Sequence, residues 1–289
     1  MFHVEHLHMN KNRSDLKTKL QVKDHFLSGE LFNLLHDEEL DMLYTDPVPG
    51  ELAKYYESEN YISHTDAKRS FVDRIYQMVK YWSVRSKMNL VESHVVGKKV
   101  LLDIGAGTGD FLLYAKKRGW SVSGIETNSS ARALAKAKDL DLFKERPGGL
   151  IPKPTAISLW HVLEHLPDPK EYLKWIHTQL EEQGILIIAV PNFKSWDAKH
   201  YQSDWAAYDV PRHLWHFSKK SILELINHHF FVEDIKPMVF DSFYVSLLSE
   251  KYRNGKSNLI RAFFNGLRSN MAAWSSGEFS SLIYVLRKR

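Results

Sequence analysis

Apolar positions along this chain fall into two rhythms. Val100 to Ile104 is a five-residue apolar run broken only by Asp103. It is too short for a helix and suits a strand buried on both faces. From Asp110 the spacing turns helical, with Phe111, Leu112 and Tyr114 before Gly119. A second run, Ser121 to Ile125, ends on Glu126. Thr127 to Lys138 is rich in alanine and reads as a helix. A short third strand is expected near Leu140 to Phe143 and a fourth at Ala156 to Trp160. Asp168 and Pro169 then form a helix start, with Tyr172, Leu173, Ile176 and Leu180 as its inner face. Gly184 to Pro191 predicts a fully buried fifth strand. Ser218 caps a helix to about His228, and Phe231 to Phe240 holds a sixth strand. Asp241 to about Asn270 reads as helix with a break at Gly255, before a last strand at Ser280 to Val285.

Upstream, Phe71, Ile75, Met78 and Tyr81 recur at helical spacing within Asp66 to Met88. The pattern divides the chain into a mobile arm (1–18), a hairpin and lid segment (19–65) and one large domain (66–289). In the arm, His3, His6 and His8 alternate, as a loose metal site or a disordered polar terminus would. Thr45 to Gly50 is a proline-rich turn. Asn192 to Phe217 is a long segment with Trp196, Trp205, Tyr208, Arg212, His213, Trp215 and His216. A loop of that length in a compact domain is usually functional.

Strand, glycine turn, helix, strand and acid together make a nucleotide-binding half-unit. Gly105, Gly107 and Gly109 permit φ > 0 and close approach of a ligand to the backbone. The dinucleotide fingerprint needs glycine at its sixth position, where this chain has Asp110. Asp103 and Asp110 place carboxylates on both sides of the bend. They disfavour a pyrophosphate and favour a cation. S-adenosyl-L-methionine carries a sulfonium and an ammonium and has no phosphate. Glu126, 21 residues after Gly105, has the spacing of an acid that reaches ribose hydroxyls. The alternative is a Rossmann-like unit with another ligand or none.

At these residues the chain resembles the class I S-adenosylmethionine-dependent methyltransferases. Their first motif is an acid two residues before G-x-G-x-G, with a second acid ending the next strand. His161 to Pro169, and the later stretch from Pro191 to Ser218, resemble a broad bacterial group that includes ubiquinone-biosynthesis O-methyltransferases. The resemblance implies an α/β, Rossmann-like seven-stranded mixed sheet with helices on both faces. The implied order is 3-2-1-4-5-7-6, with the last strand antiparallel. It implies a cofactor site of Asp103, Gly105, Ala106, Gly107, Gly109, Asp110, Phe111, Glu126, Thr127, Trp160 and His161. The adenine-contacting residue would lie just after the third strand, at Leu142 or Phe143. Relatives carry a zinc hairpin before the proline-rich turn, and this chain has the turn without the cysteines. Tyr56, Tyr61 and His64 would form a lid in the family's manner, or simply pack against the domain. Arg212 and His213 would face the acceptor.

The string from His161 to His165 also matches an H-x-x-E-H zinc pattern. The following Pro167 and the absence of a continuous helix argue against a protease. Quinone-type relatives hold magnesium with acid-x-x-Glu-His. Here His161 replaces the first acid and Mg²⁺ prefers oxygen, which argues against a tight Mg²⁺ site and leaves a softer metal or none as the alternatives, with no metal ligand assigned. Glu164 and His165 could equally serve as local hydrogen-bonding groups at a helix start. Methyl transfer needs alignment of the nucleophile and, for a protonated acceptor, a base. His165, His161 and His213 are the candidates.

The composition changes little. The chain has 289 residues and no cysteine, and basic residues exceed acidic ones by 39 − 35 = 4. Disulfides and thiolate zinc sites are excluded, and the mild charge excess lacks the dense basic face of a nucleic-acid binder. No 18-residue apolar run and no signal peptide is seen. The expectation is a cytoplasmic methyltransferase acting on O or N of a small molecule, with no membrane and no nucleic-acid partner. A nucleic-acid methyltransferase and a non-catalytic cofactor-binding module are the alternatives. The oligomeric state is not legible.

Overall fold

In the computed structural model, residues 16–56 and 71–289 are described. The arm with His3, His6 and His8, and the lid candidates Tyr61 and His64, lie outside the described residues.

Three strands open the chain, β1 (Lys17–Lys23), β2 (Leu31–Asp37) and β3 (Met42–Asp46). They form an antiparallel meander whose inner positions are apolar. Val22, Phe32, Leu34, Met42 and Leu43 are buried. A helix, α1 (Phe71–His94), leads into β4 (Val100–Ile104), α2 (Asp110–Lys117), β5 (Ser121–Ile125) and α3 (Ser129–Lys136). Then come β6 (Ala156–Trp160), α4 (Pro169–Gln179) and β7 (Ile185–Pro191). Asp168 accepts the Glu171 N–H and Pro169 occupies the first turn, as the sequence predicts. The long segment contains α5 (Trp196–Tyr201) and the two-residue β8 (Trp215–His216). The chain ends with α6 (Lys219–Ile226), β9 (Phe230–Pro237), α7 (Asp241–Asn254), α8 (Leu259–Ser276) and β10 (Ser281–Lys288).

The main sheet has six strands in the order β5-β4-β6-β7-β10-β9. β4, β5, β6 and β7 are parallel, and β10 runs antiparallel to both β7 and β9. Six of the seven expected strands are therefore present in the expected order. The seventh is a correction. Where a third strand was expected, one parallel bridge joins Ile125 to Phe143. The stretch from Leu140 is followed by Arg146, Pro147 and two glycines, which cannot extend a ladder. A cavity of about 250 Å³ lies along this open edge, lined by Leu112, Trp120, Val122 and Leu142 among others.

Every residue of β7 is buried, because helices cover both faces of the sheet. On one side Leu173, Ile176, Leu180, Ile222 and Ile226 pack on it, continuous with Leu35, Met42, Tyr44 and Trp215 of the N-terminal sheet. On the other, Met88, Val91, Phe111, Leu112 and Ala115 cover it. A third cluster holds Val22, Phe32, Leu34, Leu43, Phe193, Tyr201, Trp205, Tyr208 and Val245.

That third cluster revises the reading of the long aromatic segment. Its rings are mostly core rather than substrate contacts. β8 pairs with β3 and ties the segment to the N-terminal sheet. The tie is sealed by Arg212, whose side chain is 2 % exposed. Its guanidinium donates to Asp209 at 2.6 and 3.0 Å, to Asp24 at 3.1 Å and to the Tyr55 carbonyl at 3.2 Å. It also lies 4.7 Å from the Phe26 ring centre. Arg212 is thus a strut between two parts of the chain, not the acceptor contact expected from sequence. Removing it would leave Asp24 buried without its counter-charge. We expect Arg212→Leu to lower the unfolding free energy in urea by about 3–5 kcal/mol. A loss below about 1 kcal/mol would contradict the strut role.

Candidate active site

The site lies at the carboxyl ends of β4, β5 and β6, where doubly wound sheets bind ligands. β4 enters a bend in which Gly105, Gly107 and Gly109 have φ of 72°, 54° and 78°. The Gly105 and Ala106 N–H groups both donate to the Ile125 carbonyl, at 2.8 and 3.0 Å. Glu126 closes the bend, accepting the Gly107 N–H on one oxygen and the Asn128 N–H on the other, each at 2.8 Å. A Cβ on Gly105 would lie 2.4 Å from Val162, and one on Gly109 would lie 2.6 Å from Leu140. One on Gly107 would meet nothing within 4 Å. Two of the glycines are therefore required by packing, and Gly107 borders open space.

Asp103 points across the sheet and accepts the Ser158 hydroxyl at 2.6 Å. Burial pushes its carboxyl up to about 7, against the lowering effect of Ser158 and Lys87. Asp110 has a different setting. Its carboxylate bonds to Thr108 and to the Lys138 ammonium, both at 2.9 Å or less. The sequence reading counted two negative charges around the bend. The structure matches Asp110 with Lys138 and raises Asp103 towards neutrality, so Glu126 carries most of the negative potential.

Trp160 ends β6 and packs edge-to-face on Phe111, centroids 5.9 Å apart. Lys87 of α1 places its ammonium 4.5 Å from the Trp160 ring centre. The Trp160 indole N–H is buried and has no protein acceptor. On the β5 side, the Glu126 N–H donates to the Phe143 carbonyl at 2.9 Å, which sets the half-exposed Phe143 beside Glu126. Leu142 instead lies against Gly124. Thr127 follows Glu126 at the same rim, and its carbonyl accepts from Arg132 at 2.7 Å.

After β6 the backbone turns sharply. His161 has φ of 57°, a strained value for a residue with a Cβ. Its ring lies between Asp241 at 3.1 Å and Glu164 at 3.4 Å. Burial opposes its charge, but these two carboxylates prevail and hold its pKa up at about 10. His161 is an imidazolium at neutral pH and has no lone pair with which to take a proton. His165 is the opposite case. Burial, with His213 nearby, depresses it to about 4. Its Nδ1 lies 3.1 Å from the Arg212 carbonyl and 3.0 Å from the Tyr56 hydroxyl. The carbonyl can only accept, and the tautomer assigned from that contact has the proton on Nδ1 and the lone pair on Nε2. Tyr56 is accordingly the lid candidate that the described residues place in the site.

His213 donates from Nδ1 to the Ala207 carbonyl at 2.9 Å, and its ring meets His165 edge-on at 4.5 Å. Glu164 is 1 % exposed, and both its carboxylate oxygens lack a hydrogen bond. Its charge is retained because the histidines around it offset burial. Donor atoms of Glu164, His165 and His213 lie within 4.8 Å of one another. Two imidazoles and one carboxylate could take a borderline transition metal rather than Mg²⁺. Sequence reading reached Glu164 and both histidines. It missed Lys87, Ser158, Asp209 and Asp241, which carry no local motif and arrive only through the fold.

A family model described as a methyltransferase domain matches residues 70–229, more than half of the chain. No curated protein matches the chain significantly. Among solved structures, magnesium protoporphyrin IX methyltransferase from Synechocystis PCC 6803, with bound SAH, is similar. Its TM-score is 0.54 at 12% identity, over 83% of this chain and 100% of that one. The plantazolicin methyltransferase in complex with SAH gives 0.52 at 13% identity, over 82% and 93%. Geranyl diphosphate C-methyltransferase from Streptomyces coelicolor A3(2) gives 0.51 at 12% identity, over 79% and 84%. At these identities the likeness is one of fold.

The charged state of His161 has a stability signature. Its folded pKa of about 10 exceeds the ordinary 6.5. Its contribution is complete below about pH 6.5 and is lost as pH rises towards 10. We expect the urea unfolding free energy to fall between pH 7 and 10, and His161→Gln to remove most of that fall. An identical alkaline slope in the variant would contradict the pairing.

Proposed function

Because the chain belongs to the methyltransferase-domain family, we propose that it transfers a methyl group from S-adenosyl-L-methionine to an oxygen or nitrogen of a small-molecule acceptor. The observation that carries this reading is the open bend at Gly107, closed from below by the Glu126 carboxylate. A diol can reach that carboxylate, and a phosphate there would meet like charge. When bound, the cofactor supplies an activated methyl group on a cationic sulfur.

The protein's own residues support such a ligand. Glu126 holds the ribose hydroxyls, and Phe143 beside it offers a face for the adenine. Asp103 serves the ammonium end, and the Trp160 N–H and Lys87 meet the carboxylate of the amino-acid moiety. Ala106, Phe111 and Thr127 line the remainder of the crevice. The Trp160 N–H has no acceptor within the protein, and Glu126 stands at the rim with its charge towards the crevice.

His165 is the candidate base. It is neutral near pH 7, and its Nε2 lone pair is oriented by the Nδ1 bond to Arg212 O. Glu164 lies next to it and stabilises the imidazolium that proton uptake creates. His161 acts as a fixed cation that anchors Asp241 and Glu164. Arg212 acts indirectly, by presenting its carbonyl to His165.

Two variants test these roles. Glu126→Ala should weaken calorimetric binding of S-adenosylmethionine about 10–100-fold, the loss of charge-assisted hydrogen bonds. His165→Ala should lower kcat about 10²–10⁴-fold with cofactor Kd unchanged. Turnover that survives His165→Ala, or that chelators abolish and added metal restores, would contradict the base role.

A further inference from the structure

α8 has its apolar surface on the wrong side for a core helix. The face that packs inward is made of small residues, Ala262, Gly266, Ser269, Asn270 and Ala273. It lies close on α7, because a Cβ at Gly266 would come within 2.9 Å of the Phe243 backbone. Phe243 and Phe263 stack with centroids 5.5 Å apart, and Ser242 donates to the Gly266 carbonyl at 3.1 Å. The large apolar residues point outward. Ile260, Phe263, Phe264, Leu267, Met271 and Trp274 are all exposed, Trp274 by 80 %. At 3.6 residues per turn they form one stripe about 100° wide. Phe240, 74 % exposed, and Tyr244 extend it onto the start of α7. A soluble surface rarely leaves such a patch uncovered.

Charge says what covers it. From Lys251 to Gly277 the chain contains no aspartate or glutamate. Arg261 and Arg268 fall on one flank of the stripe, and Lys256 sits just before the helix, all three exposed. Among the described residues, Arg253 is the member of this run that is paired, with Asp204 at 3.2 Å. A bulky apolar stripe, an aromatic anchor near its end and flanking cations describe a helix that lies flat in a lipid interface. Another protein's apolar patch would need no run of uncompensated cations.

We propose that α8, with the first turn of α7, docks this protein on an anionic membrane surface. No described helix is long and apolar enough to cross a membrane. The expected lack of a membrane partner came from that missing span, which does not bear on a helix lying in the interface plane. Phe240 adjoins Asp241, the partner of His161, so docking brings one edge of the catalytic cleft to the headgroups.

The test is flotation of the full chain with vesicles of phosphatidylcholine alone or with about one-third phosphatidylglycerol. Binding should be at least about tenfold tighter to the anionic vesicles and should weaken as salt rises. Phe264→Ser, Met271→Ser and Trp274→Ser combined should lose it, and Arg261→Gln with Arg268→Gln should remove the preference for anionic lipid. All five positions are exposed, so an unchanged urea midpoint shows that the fold is intact. Absence of wild-type flotation, or flotation that survives the triple substitution, overturns the proposal. So does sedimentation showing a wild-type dimer that the triple substitution converts to monomer without any vesicle binding, which would make the face a contact between two copies.

Discussion

Glu126 is the residue on which the rest of the site depends. Its carboxylate accepts two backbone N–H groups, one from the glycine bend and one from the start of the following helix. Those bonds fix where β4 ends relative to β5. They also leave the negative charge at the rim of the crevice rather than buried within it. The neighbouring acids do not duplicate it. Asp110 is neutralised by Lys138, and Asp103 is raised to about 7 by burial. A preference for a cationic over a phosphorylated nucleotide would therefore rest mainly on one carboxylate held by backbone geometry, not on a general excess of acids.

The other half of the cleft is organised by opposed titrations. His161 and His165 are four positions apart, yet one is held charged and the other neutral. The difference is in their partners. His161 faces two carboxylates, whereas His165 faces a carbonyl, a phenol and another imidazole. Groups whose environments drive their pKa values apart are the ones to which acid and base roles can be assigned. Arg212 holds this arrangement at a distance. It ties the 192–217 segment to the N-terminal strands and so sets the carbonyl that orients His165.

Much of this was legible in the chain. The runs at Val100–Ile104, Ala156–Trp160 and Ile185–Pro191 are strands because their apolar residues have no helical period, and the three glycines mark the turn that leaves the first of them for a helix. The expected strand at Leu140–Phe143 failed because the chain after it cannot supply a ladder, leaving one bridge. The length of 192–217 pointed to a functional loop, and its tryptophans and tyrosines serve cores and ligands alike. Only the pairing of β8 with β3, which joins positions far apart in sequence, distinguishes the two. Asp241 and Lys87 were missed for the same reason. Each reaches the cleft from a helix whose local sequence carries no motif.

The central question is which ligand the glycine bend accepts. Calorimetric titration of the purified full chain with S-adenosylhomocysteine, NAD and ATP in turn measures this directly. The expected result is saturable, stoichiometric binding of S-adenosylhomocysteine and no competing heat from either phosphorylated nucleotide. Binding of NAD or ATP in this crevice, with none of the sulfur compound, would contradict it.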